Sequence, residues 1–214
     1  MDNNKLFSKT FLWMFIGLLL TFLTGFYVAN NEVMFTNIFK GYWFVALIIL
    51  ELVLVIFLSA RVFKMKPSTA KCCFILYSII SGLTFSSIFI YYELSSIIYI
   101  FLLSALVFGV LALIGYTTKT DMTKVGKYCI IGLIGAIIVV IINIFLQNTI
   151  IDLIVSIVIL LLFVGITIYD VQKLKNLQNS DLPVENLAIY GALDLYLDFI
   201  NIFIELLRLF ARER

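Results

Sequence analysis

Seven long apolar runs partition this sequence, at about 6–29, 41–63, 70–92, 96–117, 127–147, 149–171 and 187–210. Each matches the roughly 20 apolar residues that an α-helix needs to cross a bilayer. In hydrocarbon every backbone N–H and C=O must be satisfied within the protein, which leaves helices or closed barrels. Unbroken runs of this length, without strand-like alternation, read as helices. With short connections they account for most of the 214 residues and predict one transmembrane domain over 1–214, with no soluble appendage. Composition agrees, because 63% of the residues are hydrophobic and only 13% charged, against roughly 45–50% and about 25% in soluble domains. A soluble enzyme, a disordered chain and a disulfide scaffold are excluded. Pro67 and Pro183 both fall between runs, where they disturb no helix. The first run starts at Leu6 and continues without a small-residue cleavage site, so it reads as a retained span rather than a signal peptide.

Lys and Arg in the connections set the expected orientation. Lys5 and Lys9 precede the first span, and Lys40 alone follows it. Arg61, Lys64, Lys66 and Lys71 occupy the second connection, and Lys119, Lys124 and Lys127 the fourth. Lys173 and Lys175 occupy the sixth, whereas the third and fifth, around Glu93 and Asn148, have none. This alternation puts the N-terminus in the cytoplasm of a multi-pass protein of the cell membrane. Arg208, Arg212 and Arg214 break the pattern. Seven full spans place them outside, while six spans and a re-entrant last segment keep them inside. The positive-inside count alone leaves both open.

Net charge is +2, too mild for a nucleic-acid partner. The absence of histidine removes His-based triads, His-ligated metals and the usual pH switch. Any pH response must come from carboxylates. Cys72, Cys73 and Cys129 lack metal-ligand spacing and read as small apolar packers, so no cofactor is expected.

Charges at membrane depth cost several kcal/mol and mark function by default. Glu51 lies mid-way along the second run, and Arg61 at its cytoplasmic end. Asp152, beside Asn148, is expected at the interface, and Asp170 is expected to close the sixth span. In the last run Asp194, Asp198, Asn201, Glu205 and Arg208 are spaced four, three, four and three apart, which sets all five on one helical face. Such a stripe faces protein or water. Its acidic character argues against a peripheral helix on anionic lipid and for a central position. Asp170 and the start of the last helix share one side of the membrane, close enough to meet. Two carboxylates in contact there cannot both ionise, and one is driven to hold a proton. A capping role, or pairing with Arg61, is the plain alternative. Ser78, Gly82 and Ser86, at intervals of four, permit close helix packing, with Ser81, Thr84 and Ser87 alongside.

Three of these elements carry a resemblance. The run from Gly191 to Arg208 contains Asp198-Phe-Ile-Asn201 followed by Leu206-Leu-Arg208. It resembles the C-terminal signature of the Bax inhibitor-1 (transmembrane BAX inhibitor motif) family. Ser81-Gly82-Leu83-Thr84 and Tyr169-Asp170-Val171-Gln172 resemble two further elements of that family. The likeness covers essentially the whole chain, and its short length is similar to prokaryotic members. It implies an all-α membrane protein of seven transmembrane helices, with the C-terminal helix central and wrapped by the other six. It also implies a pH-sensitive calcium leak in which Asp170 and Asp198 form a di-aspartyl sensor, Arg61 pairs with that dyad and Glu51 lines the pore. Asp194 departs from the family pattern, so Asp170 can be paired with Asp198 or with Asp194.

These observations lead to a passive cation leak as the expected function. Ca2+ suits hard oxygen ligands, which Glu51, Asp194, Asn201 and Glu205 supply along a path, with Asp170, Asp198 and Asp194 as a candidate Ca2+ grouping. Ca2+, protons and membrane lipid are the expected partners, and a monomer the expected state. A non-conducting regulator of other membrane proteins is the second reading. An intramembrane aspartyl protease is the third, weakened because Gly191-Ala-Leu-Asp194 lacks the Gly-x-Gly-Asp pattern.

Overall fold

A computed structural model describes the backbone of residues 3–212 and the side chains of residues 5–212. Arg214, one of the three tail arginines, lies outside the described residues. Among the described residues the structure is helical, without strands. The helices are α1 (Asn3–Ala29), α2 (Glu32–Phe39), α3 (Trp43–Arg61), α4 (Pro67–Phe85), α5 (Ile88–Tyr91), α6 (Leu94–Thr117), α7 (Thr123–Leu146), α8 (Thr149–Leu177) and α9 (Val184–Phe210), with a 3-10 turn, Val62–Lys64, prolonging α3. Seven helical segments are long and apolar enough to cross a membrane, in agreement with the expected all-α, seven-span class.

Three local features depart from the sequence reading. The first connection contains α2, which the Asn31 side chain caps by accepting from Met34 N at 3.0 Å. The third span is interrupted between α4 and α5 at Ser86-Ser87. There the hydroxyls of Ser86 and Ser87 donate to the carbonyls of Leu83 and Thr84, at 2.7 and 3.2 Å. Hydroxyls that compete for helix carbonyls in this way bend or break a helix. The sixth span does not close at Asp170. Helix α8 continues to Leu177, so Asp170 sits two turns inside it and the connection to α9 shrinks to residues 178–183.

The helices gather into two compact units, with α9 contributing to both. Among the described residues, the first comprises residues 3–94 and 177–196. In it α1 packs along α4 through small residues. A Cβ on Gly82 would stand 2.6 Å from Thr24 Cβ and 2.8 Å from the Thr21 carbonyl, so only glycine permits this approach. Tyr196 of α9 packs edge-on against Phe74 and Tyr77 of α4, and Phe63 meets Tyr190.

The second unit comprises residues 95–176 and 197–212. Phe101 and Phe108 of α6 pack edge-on against Phe199 of α9 at 5.2 and 5.8 Å. A Cβ on Gly115 would fall 2.6 Å from the Ile168 carbonyl of α8. Arg208 pairs with Asp152 at the start of α8, and Arg212 N lies 3.5 Å from Ser96 Oγ at the start of α6. The end of α9 therefore lies against the start of α8, and α9 is a continuous helix long and apolar enough to cross a membrane. It is also the most buried span, with 72% of its apolar window inside protein against 6% for α3 and α7. The apolar faces of α3 and α7 are left for lipid.

Candidate functional site

The polar side chains of the spans fall into groups within each unit. In the first, Glu51 projects from α3 onto the Ser81-Gly82-Leu83-Thr84 segment of α4. Its carboxylate accepts from Ser81 Oγ and, at 3.0 Å, from Thr84 Oγ1. Gly82 allows α1 to close against the same turn. The phenols of Tyr77 and Tyr196 border this group. Tyr196 OH in turn shares a 2.7 Å hydrogen bond with Thr21 Oγ1, whose hydroxyl lies 2.9 Å from the Ser78 carbonyl. Ser78 is fully buried and donates to the carbonyl of Phe74, and Ser86 is also buried. A carboxylate at membrane depth is thus solvated by hydroxyls rather than by a cation. Tyr77, Tyr196 and Thr21 are not apparent in sequence as members of this group. Their only signal is that a buried phenol needs a polar partner.

At the Lys9 end of this unit, Glu185 in the first turn of α9 bridges Lys9 of α1 and Lys71 of α4, the latter at 2.6 Å. Lys71 Nζ also lies 5.6 Å from the centre of the Trp13 ring. Two of the lysines that set the expected orientation are therefore also ties between helices. The neighbouring Asn186, 1% exposed, donates through Nδ2 to the carbonyls of Val62 and, at 3.0 Å, Met65. It fixes the turn that follows Arg61, whose own side chain is exposed. Asp194, two turns further along α9, is partly buried.

In the second unit the Tyr169-Asp170-Val171-Gln172 element divides its tasks. Tyr169 lies against Gly126 of α7 so closely that a Cβ there would overlap its ring. Gln172 clasps the loop before α7, accepting from Met122 N and donating to the Thr120 carbonyl, both at 2.8 Å. Packing and loop closure thus account for Tyr169 and Gln172. Asp170, between them, has a side chain 13% exposed and lies 3.5 Å from Lys173. Asp198 is 2% exposed. Asn201 donates to the Leu197 carbonyl at 2.7 Å, which leaves its oxygen to offer. Glu205 is 5% exposed and lies 3.5 Å from Arg208, which also binds Asp152.

Among the described residues no group of three or more Cys, Asp or Glu side chains is gathered to hold a metal ion. Asp170 has Lys173 of its own helix close by.

Comparison with known proteins decides the lineage. A family model described as "Inhibitor of apoptosis-promoting Bax1" matches residues 3–214. The chain belongs to the Bax inhibitor-1 family. It is 41% identical to the inner membrane protein YbhL of Escherichia coli, over 97% of this chain and 91% of that one. It is 38% identical to a protein of Borreliella burgdorferi, over 99% and 94%. It is 37% identical to a membrane protein of Streptococcus pyogenes, over 77% and 72%. None of these three names states an enzymatic activity. With its seven apolar spans, this Bax inhibitor-1 member is a multi-pass membrane protein. Its three resembling elements are the ones that carry the Glu51 group, the Gln172 clasp and the acidic stripe of α9.

Proposed function

We propose that this protein is a passive cation leak that conducts Ca2+ and responds to pH through Asp170 and Asp198. The observation that carries the reading is the acidic stripe of α9. Asp198 and Glu205, at 2% and 5% exposed, lie on the most buried span. Burying carboxylates in a membrane protein costs several kcal/mol, a cost offset where a cation or proton uses them. Glu51, Asp194, Asn201 and Glu205 offer oxygen atoms, the hard ligands that suit Ca2+. Arg61 serves as the counter-charge that the family likeness assigns to the dyad. The N-terminus faces the cytoplasm.

The test is 45Ca2+ flux into liposomes containing the pure protein at several pH values. Flux should vary with pH in the native chain, and Asp170→Asn or Asp198→Asn should flatten that dependence. An unchanged pH profile in both variants removes the sensor role. Absence of flux from active, correctly folded protein overturns conduction and favours a regulatory partner protein.

A further inference from the structure

The Asp152 end of the second unit holds a group that the proposed gate does not use. Arg208 is the only side-chain cation paired there among the described residues, and it is shared between two carboxylates. One Nη binds Asp152, and the other lies 3.5 Å from Glu205 Oε1. Glu205 is 5% exposed, and its second oxygen, Oε2, is buried without a hydrogen-bond donor. Beside it is an open depression of about 380 Å³, lined by Thr149, Asp152, Ser156 and Arg208 together with apolar side chains. Ser156 faces both the depression and the Glu205 carboxylate. The depression is open and wide enough for a hydrated ion.

Two carboxylates against one guanidinium leave an excess negative charge, and a buried anionic oxygen without a donor is expensive. Arg208 cannot lose its proton, so the excess charge is relieved by a proton on Glu205 or by a competing cation. We infer that Asp152, Glu205 and Ser156 form a divalent-cation site in which Arg208 is a tethered occupant, displaced when Ca2+ binds. The exposed Arg208 swings outward, and Ca2+ gains oxygen ligands from both carboxylates.

The test is equilibrium binding of 45Ca2+ to the full chain in detergent, alone and in Arg208→Gln. Removing the tethered cation should tighten binding by about tenfold or more. Adding Asp152→Asn or Glu205→Gln to Arg208→Gln should abolish the gain. If Arg208→Gln does not fold, Arg208→Lys replaces it. A compact ammonium cannot fork between two carboxylates, so its affinity should exceed that of the native chain. Unchanged affinity in the folded variant makes the group a simple α8–α9 tie and overturns the site, as does a gain that survives loss of both carboxylates. The site extends the conduction reading but is measured by binding alone. Binding without flux keeps the site and overturns conduction, and flux with unchanged binding does the reverse.

Discussion

Glu51 shows what a residue at membrane depth needs. Its charge is legible in sequence, because a lone acid in an otherwise apolar run stands out. Its partners are less legible, since serine and threonine are common in spans for packing reasons. Only the fold sets Ser81 and Thr84 against the carboxylate. Removing one hydroxyl leaves a partly buried acceptor short of a donor, a loss of about 1 kcal/mol. Thr84→Val is therefore expected to lower the thermal midpoint of the native protein in detergent and to cost much less when Glu51 is already Gln. A double-mutant cycle measures that coupling, and equal losses in both backgrounds would show that Thr84 acts through packing alone. Asp170 is the converse case. Its motif is plain in sequence, but the structural work of its neighbours, Tyr169 on Gly126 and Gln172 on the loop, is visible only in three dimensions.

At the scale of elements, existence and type follow from apolar length, while ends and breaks do not. All seven spans are evident from composition alone. The break at Ser86-Ser87 and the extension of α8 to Leu177 depend on hydroxyl–carbonyl bonds and on partners for Gln172 and Lys175. These are contacts that an apolar count does not register. Glycines divide in the same way. A Cβ at Gly82 meets Thr24 and the Thr21 carbonyl, whereas one at Gly135 meets nothing within 4 Å. Gly82→Val should therefore destabilise the α1–α4 pair by about 1–3 kcal/mol, the usual cost of overpacking. Gly135→Ala should leave the midpoint unchanged or slightly raised, because alanine favours a helix over glycine. Thermal unfolding of the two variants side by side checks this, and equal loss in both would refute a close α1–α4 approach.

For the whole molecule, the unresolved question in the sequence is the fate of α9. Three late arginines argue by charge for a re-entrant segment, yet Arg208 is neutralised by Asp152 and Glu205. An arginine paired with carboxylates is a weaker barrier to crossing than a free one. With the N-terminus inside, α9 should carry the C-terminus to the opposite side. An alkaline phosphatase fusion at the C-terminus should be active and a fluorescent protein fusion there dark, while the reverse result would restore the re-entrant reading. The sequence by itself determined the medium, the seven helices, the acidic stripe and the family, because each follows from local composition and spacing along one chain. Only the tertiary structure decided that the end of α9 lies against the start of α8, that Glu51 is held by hydroxyls and that Arg208 lies between two acids. Those facts depend on which side chains from distant helices share one low-dielectric space, and no period within a single helix specifies its neighbours.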